Sequence, residues 1–209
     1  MKKPTEIINI VQNQDYAISK AVELYNNGGI FIYPTDTIYG FGCNPFNKYA
    51  MSILHKLKGR EDRKQYILLI NSLKMLFKYA EVPDKISLIL NKIWPAAVTV
   101  ILTLKDEKRK KLNYSTSAFR IPNNKFCLSV LNKINSPLVS TSVNISGQVP
   151  LNTSEQIISS DLGKMVDAIF IDPDKNQAEP STIVDLTADE PKVLRQGKIN
   201  FMELWKKFS

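Results

Sequence analysis

The chain has 209 residues, of which 44% are hydrophobic, and a formal net charge of +8. That length and apolar share suit one domain with a sizeable core and exclude a disordered chain. No run of about 18 apolar residues exists for a membrane span, and Met1 to Gln14 lacks a signal-peptide core, so a cytoplasmic protein that engages no membrane is expected. The two cysteines, Cys43 and Cys127, form no C-x-x-C pair and His55 is the single histidine, which leaves neither a disulfide framework nor a metal-ligand set. Positive charge favours an anionic partner, nucleotide or nucleic acid. Only five of the 28 basic residues are arginine. Where lysine is the default cation, an arginine marks a position that calls for the planar, bidentate guanidinium fork.

In chain order, Asp15 to Asn26 has helical apolar spacing and stops at Asn27-Gly28-Gly29. A strand, Ile30 to Tyr33, ends at Pro34. Thr35 to Asn44 reads as a polar loop, followed by a helix from Asn47 and the basic segment Lys58 to Gln65. A strand is expected over Tyr66 to Ile70, helices over Ser72 to Ala80 and Pro83 to Lys92, and a β-branched strand over Val98 to Leu104. Lys105 to Lys111, which contains Arg109, reads as a solvated connector. Strand Ala118 to Ile121, helix Lys125 to Ile134 and strand Leu138 to Thr141 lead into Ser142-Val143-Asn144-Ile145-Ser146-Gly147. A helix over Ser154 to Ser160, strands over Ala168 to Ile171, Ser181 to Leu186 and Lys192 to Leu194, and an amphipathic helix from Asn200 complete the chain. This alternation predicts an α/β domain with a mixed sheet.

No G-x-x-x-x-G-K-[ST] is present, and Gly40-Phe41-Gly42 lacks the third glycine of a dinucleotide fingerprint. His55 lies on an apolar helix, so nucleophile–histidine chemistry has little support. What remains are polar clusters at strand ends, where open α/β sheets bind ligands. Pro34-Thr35-Asp36-Thr37-Ile38-Tyr39-Gly40 offers two hydroxyls and backbone donors. Lys58-Gly59-Arg60 is either a basic helix end or a phosphate ligand. Ser142 and Asn144 are either a turn or a pair turned to one side. Arg120, between Phe119 and Ile121, is exposed on one face or paired.

Together and in order, these clusters resemble the YrdC-type threonylcarbamoyl-adenylate synthases. The resemblance also rests on Trp94-Pro95, Arg120-Ile121-Pro122, Pro180-Ser181-Thr182-Ile183 and Leu194-Arg195-Gln196-Gly197, and extends from about residue 28 to 197. It implies one YrdC-like domain over residues 1–209, a twisted sheet of parallel and antiparallel strands flanked by helices around a basic central cleft. It further implies a reaction in which L-threonine and bicarbonate form a carbamate that attacks ATP, releasing pyrophosphate. Lys58 and Arg60 would be catalytic. ATP would be held by Lys58, Arg60, Lys64, Thr116, Asn144, Thr153 and Arg195, with Mg²⁺ accompanying the nucleotide. Threonine would be held by Thr35, Thr37, Arg120, Ser142 and Ser181. The product would pass to the transfer proteins that modify adenosine 37 of tRNA. The chain departs from the family pattern at Ala96-Ala97-Val98, where a G-P-L is common, at Gln65-Tyr66, where a Pro-Leu is common, and at Leu69, where a histidine is common. The alternative is a synthase-inactive paralogue of the same fold that binds nucleotide or RNA, to which the lysine excess also lends itself.

Overall fold

The computed structural model describes residues 4–59, 65–175 and 178–208. Ten strands and nine helices are present among these residues: β1 (Glu6–Asn9), α1 (Gln14–Asn27), β2 (Phe31–Tyr33), β3 (Gly40–Gly42), α2 (Lys48–Lys58), β4 (Ile67–Leu69), α3 (Leu73–Leu76), α4 (Asp84–Ile93), β5 (Val98–Thr103), α5 (Asp106–Leu112), β6 (Thr116–Arg120), α6 (Lys125–Ile134), β7 (Leu138–Ser142), α7 (Ser154–Ser159), α8 (Asp161–Lys164), β8 (Ala168–Ile171), β9 (Thr182–Asp185), β10 (Lys192–Arg195) and α9 (Phe201–Phe208). The strands run side by side in the order β1-β8-β2-β3-β7-β4-β6-β5-β9-β10. β8 is parallel to both β1 and β2, β4 to β6, and β5 to β9, while β2–β3, β3–β7, β4–β7, β5–β6 and β9–β10 are antiparallel. This is the expected mixed sheet with helices on it. No helix among the described residues is long and apolar enough to cross a membrane.

The sheet is buried on both faces, so its central strands are nearly continuous apolar runs. Side chains alternate between faces. On one face Phe31, Tyr33, Leu69, Leu138 and Phe170 join α1 and α6 through Ala17, Ala21, Phe126, Val130 and Leu131. On the other, Ile32, Phe41, Leu68, Val100, Phe119 and Val139 pack with Leu54 of α2, Ile89 and Leu90 of α4, and Phe201 and Trp205 of α9. Helix ends follow local chemistry. Asn47 caps α2 by accepting from the Ala50 amide at 3.0 Å, and Gly28 and Gly59 terminate α1 and α2 with φ of 75° and 53°.

Four details differ from the sequence reading. Thr35 to Asn44 is not all loop, because β3 forms within it. Its glycines are required there: a Cβ on Gly42 would meet the rings of Phe31 and Tyr33 at 2.7 Å, and one on Gly40 would meet Ser140 Oγ at 3.2 Å. Lys105 to Lys111 is not a connector but contributes α5. Asp106 and Glu107 sit at its first turn, Arg109, Lys110 and Lys111 at its last, and Asn113 closes it at φ 59°. β1 was not anticipated; only Ile8 of its four residues is buried. α3 is a single short turn, because Ala80 pairs instead with Leu104 as an isolated bridge.

Both cysteines are free and fully buried, and burial pushes the Cys43 thiol up to about 12 and the Cys127 thiol higher still. Neither thiolate is therefore populated at neutral pH. Native protein at pH 8 is expected to resist a maleimide and to take up two labels once unfolded in guanidinium, as read by mass spectrometry.

Candidate functional site

The loop between β2 and β3 turns its polar side chains inward. The Thr35 hydroxyl donates to the Ile38 carbonyl at 2.8 Å, accepts from the Thr37 amide at 3.0 Å, and lies 2.9 Å from the Thr37 hydroxyl. These bonds place Thr37 against Arg120, the last residue of β6. Arg120 is only 2% exposed. Its Nη1 donates to Thr37 Oγ1 at 2.8 Å and its Nη2 lies 3.6 Å from Asp36 Oδ1. The Arg120 Nε and both Asp36 oxygens have no hydrogen-bond partner among the described residues. Lys175 completes this corner by donating to the carbonyls of Thr35, at 2.7 Å, and Thr37, with its ammonium over the Tyr39 ring. Burial pulls the Lys175 pKa down, against the opposing charges of Asp36 and Asp172.

At the end of β7, the Ser142 hydroxyl donates to Asn144 Oδ1 at 2.5 Å, so the two side chains do turn to one side. The buried Lys58 ammonium, at the last turn of α2, donates to the Ser142 carbonyl at 2.7 Å and to Asn144 Oδ1 at 2.6 Å. Asn144 Nδ2 in turn donates to the Gln148 carbonyl at 2.6 Å. Lys58 thus ties α2 to the loop that leaves β7. A third corner forms where β9 meets β10. The Arg195 fork donates to the Ser181 carbonyl from Nε at 3.0 Å and Nη2 at 2.8 Å, and Ser181 Oγ lies 2.8 Å from Thr99 Oγ1. Gly197 permits this approach, since a Cβ there would press on the Pro180 carbonyl and meet the Thr182 nitrogen at 2.7 Å. Partial burial, then the nearby charge of Arg120, lowers the Arg195 pKa.

The corners surround a cleft of about 240 Å³ lined by Thr37, Arg120, Ser142, Ser181 and Arg195 together with Tyr39, Gly40, Gln65, Tyr66, Ile67 and Ser140. Five of the residues singled out in the sequence therefore share one cavity. Thr35 supports Thr37 from behind rather than lining it. Lys58 and Asn144 likewise sit behind Ser142, because the ammonium is buried and already engaged. Thr116 is outside the lining and accepts from the Gln65 amide at 3.4 Å. Thr153 is also outside it, because its hydroxyl caps α7 in a reciprocal box with Gln156. Arg60 and Lys64 lie outside the described residues. Leu69 is paired in register with Arg120 but is wholly buried in the core under α6, so it does not shape this cleft. Asp36, Thr99, Ser140 and Lys175 were not singled out; Asp36 stood within a motif, whereas Lys175 reaches the loop only through the tertiary fold.

The Sua5/YciO/YrdC family model, described as "Telomere recombination", matches residues 23–197. The chain belongs to this family. An uncharacterized protein of Haemophilus influenzae is 32% identical over 184 residues, 86% of this chain and 88% of that one. Sua5 of P. abyssi complexed with L-threonine superposes with a TM-score of 0.87 at 27% identity, over 97% of this chain and 60% of that one. E. coli YciO superposes with a TM-score of 0.80 at 28% identity, over 96% of this chain and 98% of that one. The chain thus spans three fifths of the archaeal Sua5 and nearly all of YciO.

Replacing Lys58 by Met removes the charged donor from the Ser142 carbonyl and Asn144 Oδ1, which keep the Asn144 backbone amide and the Ser142 hydroxyl. A loss of about 1–3 kcal/mol is expected from chemical denaturation, against less than about 0.5 kcal/mol for exposed Lys56→Met.

Proposed function

We propose that this family member is an L-threonylcarbamoyladenylate synthase, acting on L-threonine, bicarbonate and ATP. The observation that carries this reading is a cleft with two guanidinium groups, Arg120 and Arg195, several hydroxyls and, among the described residues, no carboxylate or histidine in its lining. Such a lining suits two anions brought together, with no strong base at hand. A threonine carboxylate would meet Arg120, whose Nε lacks an acceptor among the described residues. Thr37, Ser142 and Ser181 would then surround the amino acid.

The chemistry matches this inventory. Threonine nitrogen bonds to the bicarbonate carbon as a C–O bond breaks and water leaves, giving a carbamate that is already an anionic nucleophile. Its oxygen bonds to the α-phosphorus of ATP as the bond to the bridging oxygen breaks and pyrophosphate departs with that electron pair. The site has to align the two reactants and offset phosphate charge. Arg195, Arg60 and Lys64 would do the latter. Lys58 would act through Ser142 and Asn144 as a positioning residue. Mg²⁺ would be carried by the phosphate oxygens, since no cluster of three His, Cys, Asp or Glu able to hold a metal exists among the described residues. The product would pass to tRNA threonylcarbamoyl-transfer proteins. A second reading, a nucleotide- or RNA-binding paralogue without synthase activity, is favoured by the end-to-end match to YciO.

Purified protein with ATP, Mg²⁺, bicarbonate and threonine is expected to release pyrophosphate only when threonine is present. Release that is absent, or unchanged without threonine, rejects the synthase, and nucleotide or RNA binding in its place selects the paralogue. Arg120→Ala should raise KM for threonine by about 10–100-fold, the loss of a charge-assisted pair, and leave KM for ATP nearly unchanged. Arg60→Ala should depress turnover far more than Arg109→Ala, whose guanidinium is engaged with Leu104, Glu81 and Asp106.

A further inference from the structure

A second cavity, of about 450 Å³, lies on the opposite face of the same central strands. Strand alternation separates the two: Ile67, Arg120 and Ser140 line the first cleft, whereas Leu68, Ser117 and Val139 line the second. Its walls are the first turns of α2 with the preceding Phe46, and the end of α5 with the following Tyr114. Its volume is in the range of small-molecule sites.

The lining is aromatic and cationic. Phe46, Tyr66 and Tyr114 supply ring surface, Lys48 and Lys111 supply charge, and no acidic residue is present among the described lining residues. Both lysines are exposed to solvent, and neither is ion-paired among the described residues. The groove continues past Phe46 and Lys111 into a neighbouring hollow, where the Phe46 and Tyr79 rings stack at 6.0 Å with 22° between their planes. Two ammonium groups near stacked rings suit a ligand with a planar aromatic part and a compact anionic part of about two charges. A nucleoside monophosphate has both, with a charge near −2 at neutral pH and a base whose faces stack on aromatic side chains.

We infer that the Phe46–Lys48–Lys111–Tyr114 groove is a mononucleotide-binding site, separate from the cleft around Arg120. Gln65 and Tyr66 line both cavities, so a ligand here touches the strand end that borders the other cleft. The inference does not rest on the synthase reading.

Titration of isotope-labelled full-length protein with AMP and UMP, followed by amide NMR, tests it. Saturable shifts are expected at Ser52, Leu112 and Ser117, and should persist in Arg120→Ala. Lys48→Glu with Lys111→Glu should weaken this phase at least tenfold, while thermal unfolding checks that the variant is folded. Adenosine alone and inorganic phosphate alone should each bind more weakly than AMP. Shifts confined to residues around Thr37 and Ser181, no saturable shift at all, or unchanged affinity in the double variant would overturn the site. Loss of pyrophosphate release would bear on the first cleft only.

Discussion

An ionised guanidinium at the end of a central strand must be paired and hydrogen-bonded, since an uncompensated charge at that depth is prohibitively costly. Arg120 imposes this demand, and much of the candidate site follows from it. Thr37 and Asp36 answer it, so the loop after β2 has to fold inward rather than over the sheet edge. That loop then presents two carbonyls to the interior, and Lys175 caps them from a segment about 140 positions away. Asp36 therefore sits between two cations, and the corner becomes a charge network held by three separate pieces of chain. Within this network the Arg120 Nε has no acceptor among the described residues.

The same logic recurs at Lys58. Its stem leaves α2 and its ammonium ends at the Ser142 carbonyl and the Asn144 amide oxygen, so the helix end and the strand end share one cation. The sequence alone leaves Lys58 at a helix C-terminus; the structure buries its ammonium against the loop that leaves β7. The open charge of the cleft is left to Arg195, which keeps part of its surface in solvent while its fork is fixed on the Ser181 carbonyl.

Apolar periodicity and stop signals made most helices and the long strands legible. Asn27-Gly28-Gly29 does end α1, and the β-branched run after Trp94-Pro95 is β5. Elements whose stability comes from neighbours were not legible. β3 is two glycines around a phenylalanine, a pattern with poor intrinsic strand preference that pairs because Phe31, Tyr33 and Ser140 leave no room for side chains. α5 has no buried residue, and its helix rests on charges matched to the dipole at both ends. Among the candidate site residues, five from motifs share one cleft. Thr153 lies outside its lining and caps α7, a place that a threonine three residues before a glutamine also suits.

The scarcity of arginine turns out to mark a geometric need more general than ligand binding. Arg120 and Arg195 border the cleft, but Arg109, in the lysine-rich run, is equally well employed. Its Nε donates to the Leu104 carbonyl at 2.6 Å, and its two other nitrogens reach Asp106 and Glu81 at 3.1 and 3.2 Å. Lysine could not make those three directed contacts at once. In a chain biased toward lysine, an arginine identifies a place where several acceptors must be addressed from one side chain. Whether those acceptors belong to the protein or to a ligand depends on what surrounds the fork. At Arg109 the carboxylates are supplied by the chain. At Arg120 the chain supplies one carboxylate, Asp36, and at Arg195 the fork is fixed on the Ser181 carbonyl, so the two guanidinium groups that border the cleft are also held by acceptors of the protein.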